Sequence, residues 1–330
     1  MFAAPAVAGD VVFIGSCGGS FYALDRHTGK PLWSYDTHRD GPPANFHGDP
    51  VVTDQLVVVG TDTEPEGLLY AFDRQTGEVR WKRPAPSGFF ATVLRHGQNI
   101  LALTTLGDAI SYAIEDGRTA WTFDKAPHNP HGTNTPSPAL AGDRFILPSP
   151  GGQLFALDAS SGRVVWQRDL AAEIHTSVTV TGEVLYVGDR SGRVHKLNAA
   201  SGAVEATLET GGTPFGTMVA AEGCLLAQWT PGIFACIDPA LTDVRWRKTA
   251  TDNWSSFKSL VWNGTVFTGT ESGRVSQFRL LDGAELWSQS VKGPIKGLAI
   301  ASDGTLYVGT QFGMIYALSL PSPEAPHAGP

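Results

Sequence analysis

One short pattern returns along almost the entire chain, and it limits the possible folds more than any other feature. It is clearest in Phe21 to Trp33 (FYALDRHTGKPLW), Leu69 to Trp81 (LYAFDRQTGEVRW) and Leu154 to Trp166 (LFALDASSGRVVW). Each copy reads aromatic, Ala, any residue, Asp, two residues, Thr or Ser, Gly, three residues, Trp. Weaker copies end at Trp121, Trp246 and Trp287, and VHKLNAASGAVEA puts Ala206 where Trp is expected. Successive copies end 40 to 48 residues apart. A period of this length, sustained through 330 residues, marks a repeat architecture in which each copy is one supersecondary unit.

Each unit breaks into short apolar or alternating runs. In the first these are Ala4–Ala8, Val11–Gly15, Phe21–Asp25 and Pro31–Tyr35, separated by Gly9-Asp10, Gly18-Gly19 and Thr28-Gly29. Runs of this length with Gly-bearing separators read as antiparallel strands joined by hairpin turns. Four such strands per unit predict a propeller blade. The expected fold is therefore an all-β, eight-bladed β-propeller of four-stranded antiparallel blades. It should occupy 1–320 as one domain, with 321–330 as a Pro-rich flexible tail. Asp25, Asp73, Asp158 and Asp238 are placed to accept from turn amides. Trp33, Trp81, Trp121, Trp166, Trp246 and Trp287 are expected to dock on seats of small residues, a structural role.

Counting strands gives eight inner sets of three but only seven outer strands. The last unit, Ile295–Leu320, ends in IYALSL and then PSPEAPHAGP. Either this blade has three strands, or the natural chain begins upstream of Met1. The second is the expectation, and it would leave room for an export signal. Met1 itself leads directly into repeat sequence, so no signal peptide is legible.

Composition agrees with a turn-rich β protein: Gly 38, Pro 22 and only Met 3. A net charge of −8 argues against nucleic acid as a partner, since that requires a basic stripe. No apolar run approaches the ~18 residues of a transmembrane helix. Cys17, Cys224 and Cys236 match no metal motif. Cys236 falls where sister repeats carry Ala and is expected to be a small buried core residue.

The AxDxxTGxxxW repeat with its docking Trp resembles the pyrroloquinoline-quinone (PQQ) repeat family, over essentially Phe2 to Leu320. That family includes eight-bladed quinoprotein dehydrogenases and the non-enzymatic, BamB-like lipoproteins of outer-membrane assembly. The motif describes blade packing, so it implies fold more strongly than activity. The dehydrogenases carry adjacent bonded cysteines and calcium held by a Glu and an Asn. No two cysteines are adjacent here, and the chain is short, which favours the BamB-like comparison. By this resemblance no cofactor is expected, PQQ with calcium is the alternative, and the location is extracytoplasmic (periplasm or cell envelope).

Function in such a fold is expected on the face with long inter-blade loops, such as Thr37–Asp49 and Lys125–Pro136. Aligning units on their first strand gives two rings near the axis. One reads Phe2, His47, Phe90, Thr135, His175, Phe215, Ser256 and Ile295. The other reads Ala4, Asp49, Thr92, Ser137, Ser177, Thr217, Lys258 and Gly297. Small residues dominate the second, with Asp49 and Lys258 as exceptions and Lys296 beside it. His38, His47, His128, His131 and His175 fall in the inter-blade loops, as do Phe46, Phe89, Phe90, Phe215 and Trp254.

The candidate ligand- or partner-binding set is His47, Asp49, Phe90, His131, His175, Phe215, Trp254, Lys258 and Lys296. The leading expectation is a monomeric, non-catalytic binding or scaffold propeller that engages a protein or peptide. It would use its long-loop face or an open strand edge. The alternatives are a PQQ-dependent oxidoreductase and a metal-assisted lyase or hydrolase on the His-rich rim.

Overall fold

The second and third strands of each unit carry the longest apolar runs, and those residues form the buried layers. Val11–Gly15, Leu56–Gly60, Arg144–Pro148 and Val184–Gly188 each bury four of five residues. The computed structural model describes residues 4–41, 44–124, 136–149, 151–250, 252–254 and 258–320. The predicted tail, 321–330, lies outside the described residues.

The strands assemble into eight sheets, one per blade of an eight-bladed propeller; pairing within each blade is antiparallel, and Thr176–Ser177 adds in parallel to the sheet of the following blade. The first blade is Ala6–Ala8, Val11–Gly15, Ser20–Asp25 and Pro31–Asp36. The third and fourth strands each extend one residue beyond the predicted bounds, and the first begins at Ala6 instead of Ala4, whose amide donates to Asp49. The last blade has three strands among the described residues: Ile295–Ile300, Leu306–Thr310 and Ile315–Leu318.

Outer strands are exposed except at the Trp position, as in Pro31–Asp36 and Val164–Asp169. Each docking Trp crosses to the next blade and lies over the glycine of that blade's turn. A Cβ on Gly77, Gly117, Gly162, Gly202 or Gly283 would come within 2.7 Å of Trp33, Trp81, Trp121, Trp166 or Trp246 respectively. The indole N–H of each donates to a carbonyl of that same neighbouring turn. Trp166 reaches Ala199 O at 2.9 Å and Trp246 reaches Leu280 O at 2.8 Å. So the motif Gly serves the preceding blade, which extends the expectation of a small seat.

Two interfaces depart from this rule. At Ala206 the Trp is missing, and Leu241 in the next turn adopts φ +60 and is buried in the same cluster. Trp287 faces the three-stranded blade, and its indole N–H has no acceptor among the described residues; it packs beside Leu318 and Leu320 instead. The turn carboxylates behave as expected: Asp25 Oδ1 accepts from Thr28 N–H at 2.8 Å and Asp73 Oδ1 from Thr76 N–H at 2.9 Å. Cys236 is buried as expected and is joined to Cys224 on the adjacent strand by a disulfide.

Candidate functional site

The first residues of the inner strands converge on the propeller axis and enclose a pocket of about 470 Å³. All members of the second ring line it. Their small polar side chains do more than save space. Ala4 N–H donates to Asp49 Oδ1 at 2.7 Å, Thr92 N–H to Ser137 Oγ at 3.2 Å, and Ser137 N–H to Ser177 Oγ at 3.0 Å. Ser177 and Thr217, then Thr217 and Lys258, continue the belt as parallel backbone bridges. Strand ends facing a central channel lack ladder partners, and a buried amide without an acceptor is costly. Side-chain oxygens from the next blade supply those acceptors.

Of the first ring, His47, Phe90, His175 and Phe215 line the pocket, and Lys296 joins them. Ile295 does not: it is fully buried against Gly269 beneath the pocket wall. Phe46 and Phe89 are fully buried core residues. Trp254 is also core and not pocket wall, 5% exposed and packed on Phe234 and Phe278 at ring distances of 5.6 and 6.0 Å. The expectation that it belongs to an exposed loop-face cluster is corrected: the indole is buried between sheets. His131, His128, Phe2, Thr135 and Ser256 lie outside the described residues.

The charges in the pocket are strained by their setting. Asp49 is half-buried on the pocket wall; burial raises its carboxyl, against the Ala4 amide and the Lys258 ammonium. Burial pushes the Lys296 ammonium down, with Glu271 opposing. His175 Nδ1 lies 2.9 Å from Pro214 O. His38, by contrast, is an exposed loop residue paired with Asp36 at 2.5 Å.

His47 lies between a carboxylate and a thiol. Its Nδ1 is 2.5 Å from Asp62 Oδ2, and its Nε2 is 3.1 Å from Cys17 Sγ. Burial opposes charge on the imidazole, but Asp62 and Cys17 outweigh it and hold its pKa up to about 9. Burial likewise opposes the Cys17 thiolate, and the facing His47 overcomes it, so the thiol falls below its ordinary value. Neither Cys17 nor Asp62 was in the predicted set. Aligning units on the second strand, not the first, would have found them: each stands two residues past the strand's terminal glycine, Gly15 or Gly60.

Among the described residues no three His, Cys, Asp or Glu side chains converge on a common point suited to a metal ion. His128 and His131, two of the five rim histidines, lie outside those residues.

Fold and pocket together define a minimal eight-bladed propeller of the PQQ-repeat class. A family model described as outer membrane protein assembly factor BamB matches residues 2–64, 47–178 and 156–301, and the chain belongs to that family. It is 25% identical over 212 residues to the outer membrane protein assembly factor BamB of Shewanella oneidensis, covering 61% of this chain and 51% of that protein. It is 26% identical over 195 residues to the quinohemoprotein alcohol dehydrogenase ADH IIB of Pseudomonas putida, covering 54% and 27%. The crystal structure of BamB from Moraxella catarrhalis superposes with a TM-score of 0.80 at 19% identity, covering 96% and 95% of the two chains. The chain spans about half or less of the length of these two curated relatives.

The quinoprotein relative raises the question of a quinone with calcium. Asp49 is the only carboxylate on the described pocket wall, and it is committed to the Ala4 amide. The paired cysteines are on neighbouring strands twelve residues apart and away from the pocket. The donor set does not fit that cofactor, and no redox step is derived from it.

Proposed function

We propose that the chain is a binding and scaffolding propeller that serves outer-membrane protein assembly from outside the cytoplasm, acting by docking a protein or peptide partner. The observation that carries this reading is a family match through residues 2–301 on a propeller with minimal blades. On the long-loop face, Phe90 and Phe215 give apolar contact while Lys258 and Lys296 give positive charge inside an otherwise acidic molecule. That combination suits an extended segment with aromatic or aliphatic side chains and a carboxylate. No helix among the described residues is long and apolar enough to cross a membrane.

The test is site-specific photocrosslinking in a Gram-negative host, with the crosslinker at Phe90 or Phe215 and, as control, at Thr76 on the opposite turn face. Crosslinks to outer-membrane assembly components from the first two positions only are expected. Equal labelling from both faces, or none to such components, would remove the docking face from the proposal.

A further inference from the structure

The cluster at His47 is not needed for docking, and the backbone around it is fixed from three directions. Phe46 N–H donates to Ser16 O at 3.2 Å, and Asp62 N–H donates to Asn45 O at 3.0 Å. Those bonds tie together the residues next to Cys17 and His47 and Asp62 itself. Gly88 packs flat on Asp62, where a Cβ would come within 2.5 Å of its carbonyl carbon. Three loops from two blades thus bring a thiol, an imidazole and a carboxylate together. Cys17 is a free thiol on the surface, whereas His47 and Asp62 are largely enclosed, at 10% and 14% side-chain exposure.

We infer that Cys17 is a nucleophilic thiolate, acylated by esters or thioesters, with His47 as its proton partner and Asp62 as the residue that positions His47. Nucleophile, imidazole and orienting group in hydrogen-bond reach of one another are the general arrangement for acyl transfer. In the step, the Cys17 thiolate, paired with the His47 imidazolium, bonds to the carbonyl carbon. The carbonyl electron pair then re-forms the double bond, the bond to the alcohol or thiol breaks, and His47 Nε2 gives its proton to that leaving group. The products are S-acyl-Cys17 and the free alcohol or thiol, with no change in oxidation state.

One further feature favours an acyl group. His47 packs its ring 5.2 Å from Phe90, and both line the axial pocket of about 470 Å³, so a cavity with room for an acyl chain opens beside the imidazole. The inference does not depend on the docking partner.

The experiment treats the purified full chain with p-nitrophenyl butyrate and, separately, with iodoacetamide across a pH series. A burst of one equivalent of p-nitrophenolate is expected, with the butyryl group mapped to Cys17 by peptide mass. Cys17→Ser should abolish the burst, and His47→Gln should slow it by about 10²–10⁴-fold, the usual range for general acid–base catalysis. Asp62→Asn leaves the thiol in place, so its readout is the alkylation profile. The profile's midpoint should lie below the ~8.5 of a free cysteine in the native protein and move up in the variant. Far-ultraviolet spectra and melting curves establish that each variant is folded. A burst that survives Cys17→Ser, or an alkylation midpoint near ~8.5 that ignores Asp62→Asn, overturns the proposal.

Discussion

Asp49 is one of two charged members of a ring whose other side chains are small and neutral, and its raised carboxyl has a consequence for stability. A carboxyl whose folded pKa exceeds its unfolded value, near ~3.9, favours the fold most when protonated. That contribution is complete below the unfolded pKa and is lost as pH rises through the folded one. Asp49→Asn keeps an oxygen for the Ala4 amide but removes the titration. The stability of the variant relative to the native chain should therefore grow as pH rises above about 4, as urea unfolding would show. A difference independent of pH would mean that Lys258 and the Ala4 amide fully offset burial. At this scale the sequence was readable where a residue sits on a repeat position. The second ring emerged whole because first-strand spacing is regular. The His47 cluster did not, since Cys17, His47 and Asp62 come from two different strand ends and meet only after blades pack.

The interface between blades reduces to one large side chain, one glycine and one carbonyl. Trp166 lies over Gly202 and donates to Ala199 O, and both contacts vanish in Trp166→Ala. The loss should be roughly 3–5 kcal/mol, as for other deletions of large buried aromatics, and a loss under ~1 kcal/mol would undo the docking argument. The Ala206 interface offers the converse test. With Leu241 already buried there, Ala206→Trp overpacks and should cost about 1–3 kcal/mol. Adding Leu241→Gly opens the seat and removes a side chain from φ +60. The two changes should then couple favourably by about 1 kcal/mol or more in a double-mutant cycle. Strict additivity would show that Leu241 does not occupy the Trp position. Strand number and order were legible because period-2 patterning and glycine turns are local properties. The destination of each Trp was not, since it belongs to the neighbouring repeat and the motif alone does not say which side it faces.

A ring of repeats has one seam, and here it lies between the last blade and the first. Arg26 pairs with Asp303 at 2.7 Å, Tyr307 Oη donates to Arg26 O at 3.3 Å, and Val12 packs with Ala301 and Tyr307. These contacts close the inner layers but leave the outer layer unmatched. The strand Ile315–Leu318 has one free edge among the described residues. At Gly29, the position that would receive a docking Trp from the last blade, no atom of the described residues stands within 4 Å of an added Cβ. A strand supplied in trans should fill both places at once. A peptide copying 163–169, which carries the outer strand Val164–Asp169, should raise the melting temperature with increasing concentration. At a hundredfold excess over its Kd the gain is about 2.7 kcal/mol, because the peptide binds only the folded ring. The same peptide with Ala in place of Trp should give little shift. Gly29→Ala provides the matching control on the protein side: its Cβ obstructs the seat, and at φ +68 it costs about 1–2 kcal/mol of backbone strain without touching any neighbour. A peptide effect that persists in Gly29→Ala would place binding elsewhere. No effect in the native chain would mean that the three-stranded blade is stable as it stands, and that Gly29 is only a turn residue.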